Sequence, residues 1–268
     1  MTVPHRPNRR APMVLSVPRR LVAVLLAAAS AFAVPASAAD APRLEGPQAK
    51  AILERLDAAR PGLPVESVSP AGVAGLYAVA LEDGTVLYAT EDGAHLIAGD
   101  LYRVAPEGLV NRTEEQRAVQ RIARLESLDR DEMIVFSPKG ETKAVVNVFT
   151  DVDCGFCQRL HQEVPELNAM GVEVRYLAFP RAGIGSESYD KIVSAWCAAD
   201  PRQALTRLKN GQPVEPRSCD NPVAAQYRLG QQLGVRGTPA LFLEDGRYVP
   251  GYMPAQALAE ELGLNAGS

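Results

Sequence analysis

Residues 143–157 read KAVVNVFTDVDCGFC, and the fold turns on this stretch. Lys143–Phe149 is an apolar run bounded by turn residues, as expected of a strand buried on both faces. Cys154-Gly155-Phe156-Cys157 follows at once and opens a helix predicted over 155–170. The next apolar run, Val172–Phe179, reads as a second strand. Strand, helix and strand in that order predict a parallel, right-handed crossover. A Cys-x-x-Cys pair at its first turn is the context in which such a pair carries redox chemistry.

The chemistry follows from the placement. Free amides and the dipole at a helix N-terminus favour an anion, so they favour a thiolate at Cys154. A thiol with a pKa of about 8.5 is only ~3% ionised at pH 7, whereas one near 7 is half ionised. Cys154 is expected to be the exposed nucleophile. Cys157, one turn further on, is placed to resolve a mixed disulfide. Neither Gly155 nor Phe156 is a cation, so the helix end must supply most of the activation. Asp153 opposes it, because a neighbouring negative charge disfavours thiolate. The alternative is a zinc site, which wants a second close pair. Cys197 and Cys219 are too far apart for that, and His161 is the only nearby candidate for a third ligand. A position on the helix surface is the plainer expectation for His161. The site is therefore read as metal-free and cofactor-free.

Further along, residues 186–209 and 221–233 read as helices. Ala240–Leu243 and Arg247–Val249 form a hairpin across Glu244-Asp245-Gly246, and Ala255–Leu262 closes the chain as a helix. Cys197 and Cys219 are left to bond each other. A structural bridge is the simplest reading, with a second redox-active pair as its rival. Thr238-Pro239 opens the strand Ala240–Leu243. Only about 5–6% of X–Pro bonds in folded proteins are cis, so local physics alone favours trans.

On the N-terminal side, residues 113–130 read as a charged helix. Thr113 and Gln116 form a capping box, and Ala118, Ile122 and Leu125 make one thin apolar stripe. Such a helix suits a linker between domains, and an ordinary surface helix packed on one domain fits equally well. Before it, residues 44–60 form a short amphipathic helix. Val73–Leu81, Val86–Thr90 and His95–Val104 read as strands joined at Glu82-Asp83-Gly84 and Glu91-Asp92-Gly93. This small unit has open sheet edges that a second copy would satisfy. Gly99 lies within the last strand, where glycine often marks the close approach of another backbone.

The first residues read as an address. Arg6, Arg9, Arg10, Arg19 and Arg20 precede the 14-residue run Leu21–Val34 and then Ala36-Ser37-Ala38. Basic, apolar and small-residue segments in that order describe a signal peptide cleaved near Ala38. An uncleaved anchor is the alternative, and translation could begin at Met1 or Met13. A membrane span needs about 18 apolar residues, so a multi-pass membrane protein is excluded. Cleavage removes five arginines and no acid, leaving 23 basic against 32 acidic side chains, a net charge of −9. An acidic chain of this kind is a poor match for nucleic acid. Export also places the cysteines where disulfides persist. The organisation expected is signal peptide 1–38, N-terminal dimerisation domain 39–110, linker helix 111–130 and catalytic domain 131–268.

Several segments resemble the DsbC family of periplasmic disulfide isomerases: 147–161 (NVFTDVDCGFCQRLH), 174–183 (VRYLAFPRAG), 234–240 (GVRGTPA), 95–104 (HLIAGDLYRV) and 249–254 (VPGYMP). The similarity extends to 131–136, 195–200 and 218–222, and so covers essentially the whole mature chain. It implies a mixed α+β and α/β protein: a small cystatin-like dimerisation domain, a helical linker and a thioredoxin-like domain with a helical insertion. It implies a V-shaped homodimer with facing active sites. By the same resemblance, Cys154 and Cys157 are the nucleophile and the resolving cysteine, and Thr238 and Pro239 form the loop facing them, with Pro239 cis. Cys197 and Cys219 are then the structural disulfide. The family's partners are misfolded exported proteins with non-native disulfides and an inner-membrane reductant of the DsbD type. Its activities are disulfide isomerisation and chaperone-like holding. Phe156 departs from the pattern, since Tyr is common there, and it puts the redox poise in question. Two other readings are a DsbG-like reductase of sulfenic acids, whose motif usually has Pro where this chain has Gly155, and a non-enzymatic client-binding module.

Overall fold

The structure is a computed structural model, and it describes residues 46–264. The expected signal segment and its cleavage near Ala38 lie outside the described residues. In chain order the first elements are α1 (Pro47–Ala59), β1 (Val65–Pro70), β2 (Leu76–Leu81), β3 (Val86–Thr90), β4 (Leu96–Ala98), β5 (Tyr102–Ala105), β6 (Gly108–Asn111) and α2 (Arg112–Glu126). Then come β7 (Ile134–Phe136), β8 (Ala144–Thr150), α3 (Gly155–Gln162), α4 (Val164–Ala169), β9 (Val172–Ala178), α5 (Glu187–Trp196) and α6 (Pro201–Lys209). The last are α7 (Val223–Gln232), β10 (Ala240–Leu243), β11 (Tyr248–Pro250) and α8 (Ala255–Glu261). No described helix is long and apolar enough to cross a membrane.

The N-terminal part is an antiparallel sheet ordered β1-β2-β3-β4, with α1 packed on one face. Ile52 and Leu56 of α1 meet Val68, Val79 and Ala89, so the amphipathic stripe of the helix is what closes this small core. Both Asp-Gly turns form hairpins as expected. Sequence reasoning missed β1 and also β6, and it joined β4 to β5 as one strand. Gly99 stands between those two strands with φ +147°, a backbone conformation that only glycine adopts without strain. The chain turns there and forms a separate β5–β6 hairpin. Among the described residues, nothing beyond its chain neighbours lies within 4 Å of where a Cβ at Gly99 would stand.

The C-terminal sheet is ordered β11-β10-β8-β9-β7. β8 runs parallel to β9 and antiparallel to β10, so the crossover through α3 and α4 is as expected. Every residue of β8 is buried, because helices cover both faces of the sheet. Val146 and Val148 pack with Leu160, Leu167, Ile192 and Leu205 on one face. Phe149 points to the other, with Leu177, Phe179 and Phe242. Two predicted helices are broken in two. At 155–170 the break is Glu163, followed by Pro165 in the first turn of α4. At 186–209 it is Cys197–Asp200, where Asp200 caps α6 by accepting from the Gln203 amide at 3.0 Å and Pro201 takes the first helical position.

Helix α2 touches both parts. Its cap is Asn111, whose side chain accepts from the Glu114 amide at 3.0 Å, rather than Thr113. Thr113 is drawn inward, with its hydroxyl 2.6 Å from Tyr88 Oη and accepting from the Leu101 amide. Arg124 donates to Glu82 O and to Glu66 Oε2 on the N-terminal sheet. Arg121 is buried, donates to Gly246 O at 3.3 Å and lies over the Tyr248 ring. Leu125 joins the core beneath Phe149 and Phe242. The helix is thus both connector and packed element.

Candidate active site

Cys154 is the N-cap of α3. Its backbone is extended, and its Sγ accepts from the Cys157 amide at 3.4 Å, where a Ser or Asp side chain would sit in an ordinary helix. When protonated it donates to the Thr238 carbonyl at 3.2 Å. The Cys154-Cys157 pair and the Thr238-Pro239 loop, distant in sequence, therefore meet. The Thr238-Pro239 bond is cis. Cys154 is buried rather than exposed, at 3% of its free surface, because this loop crosses over it. Cys157 faces the interior and is wholly buried.

The two thiols are driven apart. Cys154 is lowered to about 5, chiefly because the Cys157 thiol donates to its thiolate. Burial works against this, while the Thr238 side chain, the Cys157 amide and the Arg181 charge assist. Among the described residues, Thr238 Oγ1 is otherwise a buried hydroxyl without a partner. Burial pushes Cys157 well above an ordinary thiol. One sulfur is thus an anion at neutral pH and its neighbour holds its proton.

Sequence reasoning missed the charges around the pair. Asp151 is buried, and its carboxylate accepts from the Asp153 amide at 2.9 Å and from the Arg181 amide and Nε at 2.9 and 3.2 Å. That clasp fixes the loop before α3 and brings the Arg181 guanidinium to the thiolate. Asp153, expected to oppose the thiolate, is paired with Lys191 Nζ at 3.1 Å. Phe156 is exposed and stacks on Tyr252, whose ring also lies against the Arg159 guanidinium, 4.6 Å from the centroid, and whose hydroxyl donates to Glu163. An aromatic ledge beside Cys154 results.

His161 is buried, not on the helix surface. Its ring bridges Tyr176 Oη at 3.1 Å and Thr206 Oγ1 at 2.9 Å. Burial, aided by the Lys209 charge, lowers it to about 4, so it is neutral at pH 7. Among the described residues, no group of three or more His, Cys, Asp or Glu is placed to hold a metal ion. Cys197 and Cys219 are bonded to each other, tying the end of α5 to the segment before α7. Lys209 is buried beneath the site. Its only sequence signal was its position four residues after the core Leu205, on the apolar face of α6.

Comparison with known proteins fits this geometry. Residues 130–264 match the model of a thioredoxin-like domain, and residues 35–114 match the disulfide bond isomerase protein N-terminal domain. The chain is 43% identical over 204 residues to the thiol:disulfide interchange protein DsbC of Escherichia coli, covering 76% of this chain and 84% of that one. It is 41% identical over 209 residues to the protein of the same name from Dickeya dadantii, covering 78% and 85%. A crystal structure of a disulfide interchange protein from Neisseria gonorrhoeae aligns at 36% identity and a TM-score of 0.46, covering 53% of this chain and all of that one.

Proposed function

The chain belongs to the DsbC family of thiol:disulfide interchange proteins, and on that premise we propose how its own residues divide the work. Cys154 attacks a non-native disulfide in an exported client. The attacked bond breaks, one client sulfur leaves as a thiolate, and the other is held on Cys154. If the freed client thiolate attacks elsewhere in the client, the enzyme is released unchanged and the disulfides are rearranged. If Cys157 attacks first, the client leaves reduced and the enzyme is oxidised. That second outcome calls for an external dithiol, and a membrane reductant of the DsbD type is the partner proposed. The Thr238-Pro239 loop and the Phe156–Tyr252 ledge border the sulfur and are read as the surface that receives the client chain.

The reading places the mature protein in the periplasm after removal of residues 1–38. It assigns 39–110 to dimerisation, 111–130 to the linker and 131–268 to catalysis. The exposed apolar side chains Leu96, Ile97, Tyr102, Val104 and Leu109 around the β4 edge and the β5–β6 hairpin support pairing with a second copy. A cleft between two such subunits would hold clients in a chaperone-like manner.

One observation carries the mechanism: Cys154 caps α3 as an anion while its buried neighbour Cys157 stays protonated. The test is refolding of a scrambled multi-disulfide protein. Wild type should restore native pairing, and Cys154→Ala should give only the uncatalysed rate. Equal rates for the two would refute the assignment.

A further inference from the structure

Lys209 ends α6 with its side chain fully buried. Its ammonium donates to Thr150 Oγ1 at 2.6 Å and to the Asp151 carbonyl at 2.8 Å, at the end of β8 just ahead of the cysteine pair. The Asp151 backbone lies close enough to the Cys157 thiol to favour its ionisation, against burial. Among the described residues, no carboxylate pairs with Lys209. A buried cation without an anion is costly, and side chains this buried are ordinarily paired. The acidic groups whose charges act on Lys209 are, in order, Cys157, Cys154, Asp151 and Asp153. Asp151 and Asp153 are already held by Arg181 and Lys191, and the Arg181 charge acts on Cys154. Tyr176 and His161 are the remaining titratable neighbours, and the first is kept neutral by burial. The anion left for Lys209 is one that forms only during turnover.

We propose that the Lys209 ammonium is the buried countercharge of the Cys157 thiolate, a positioning residue that sets how fast a mixed disulfide on Cys154 is resolved. The inference rests on Cys154 being the attacking cysteine. In the step concerned, Cys157 gives up its proton and its sulfur bonds to Cys154 Sγ. The bond between Cys154 Sγ and the client sulfur breaks, and the client thiolate takes up a proton. Two electrons pass from the enzyme dithiol to the client. Resolution competes with rearrangement, so Lys209 biases the protein between reduction and isomerisation. Burial lowers Lys209 to about 8, opposed by the nearby thiols. The countercharge is therefore present at neutral pH and sensitive to alkaline pH.

The experiment is a single-turnover measurement on the full mature protein carrying 5-thio-2-nitrobenzoate on Cys154, with release of the coloured thiolate followed against pH. Each unit by which Cys157 rises lowers its thiolate fraction about tenfold while regaining about threefold in nucleophilicity, so a two-unit rise in Lys209→Met slows release by about tenfold. The profile should move to higher pH, while alkylation of Cys154 in the reduced protein changes little. Release as fast as wild type, with an unmoved profile, overturns the proposal. A protein that forms no mixed disulfide on Cys154 overturns the parent reading as well. If Lys209→Met does not fold, lysine 15N resonances decide the matter in the unsubstituted protein with Cys154 capped by iodoacetamide. Lys209 should then titrate in two coupled steps, and in one step in the disulfide form. A single identical midpoint in both forms overturns the proposal.

Discussion

The Sγ of Cys154 lies 3.4 Å from the backbone nitrogen of Cys157, so the first cysteine of the pair caps the helix that contains the second. Thiolate formation therefore strengthens the cap, and folding and ionisation are linked. Cys154 should titrate near 5 by thiolate absorbance and be alkylated at pH 6, where Cys157 is inert. Its folded pKa is depressed below the unfolded value of about 8.5, so the stabilisation is fully present above that pH. It is lost as pH falls from there through about 5. Denaturation of the reduced protein should show this loss, and Cys154→Ser should not. A midpoint at or above about 8.5 would refute the assignment.

The sequence revealed this helix start because a buried strand, a turn and a Cys-x-x-Cys are contiguous. Local patterns also disclosed the parallel crossover and three Asp-Gly hairpins. Longer-range features stayed hidden. Arg181 reaches the thiolate only because Asp151, 30 residues earlier, clasps it, and nothing in the spacing foretells that. His161 looked like a surface residue until Tyr176 and Thr206 closed over it. The strand 95–104 broke at a glycine whose positive φ no hydropathy pattern encodes.

Glu173 is buried on β9 between Arg130, Arg175 and Ser137. Burial raises its pKa, but the three hydrogen-bonding partners outweigh burial and hold the carboxyl at about 2. The unfolded value is about 4.3. Its stabilisation is present above that pH and disappears as pH falls from about 4.3 through 2. Glu173→Gln should cost on the order of 1–3 kcal/mol near pH 7, and urea denaturation should show the gap to wild type closing across that acid window. A gap independent of pH would count against this account.

The Cys197–Cys219 bond closes a loop between residues 22 apart in sequence. In the chain-entropy treatment such a closure contributes about 3 kcal/mol. The double substitution to Ala should lower stability by about that amount in guanidinium denaturation, while leaving the attack rate of Cys154 within about twofold, since the partners of its sulfur are the Cys157 amide and the Thr238 carbonyl. A variant of wild-type stability would show that the loop is held by packing alone.

Gly246, at the tip of the β10–β11 hairpin, has φ +78°, and a Cβ there would stand 2.2 Å from the Ala118 carbonyl oxygen of α2. Both the backbone conformation and the contact exclude a side chain. Gly246→Ala should therefore lift α2 away from the C-terminal sheet and release the Arg121 contact. Amide exchange of residues 112–126 should rise and limited proteolysis should cut there first, with Cys154 alkylation unchanged. Protection equal to wild type would mean that the connector is held elsewhere.

The edge strand β4 carries Ile97, 52% exposed, and among the described residues one side of its backbone is unpaired. An open apolar edge is a template for another chain. Gly99 nearby is a poor place to test this, because its positive φ would strain any replacement whatever its oligomeric state. Ile97→Asp avoids that strain and places a charge where a second copy would pair. It should convert the mature protein to a monomer in sedimentation while leaving its own fold and Cys154 reactivity intact. Exchange of thiols and disulfides needs one cysteine pair and should survive. Isomerisation, which requires a client to be held while its thiols search for new partners, should fall to a small fraction of wild type in the scrambled-substrate assay. A monomeric variant that isomerises at the wild-type rate would show that the N-terminal domain serves some purpose other than forming the cleft.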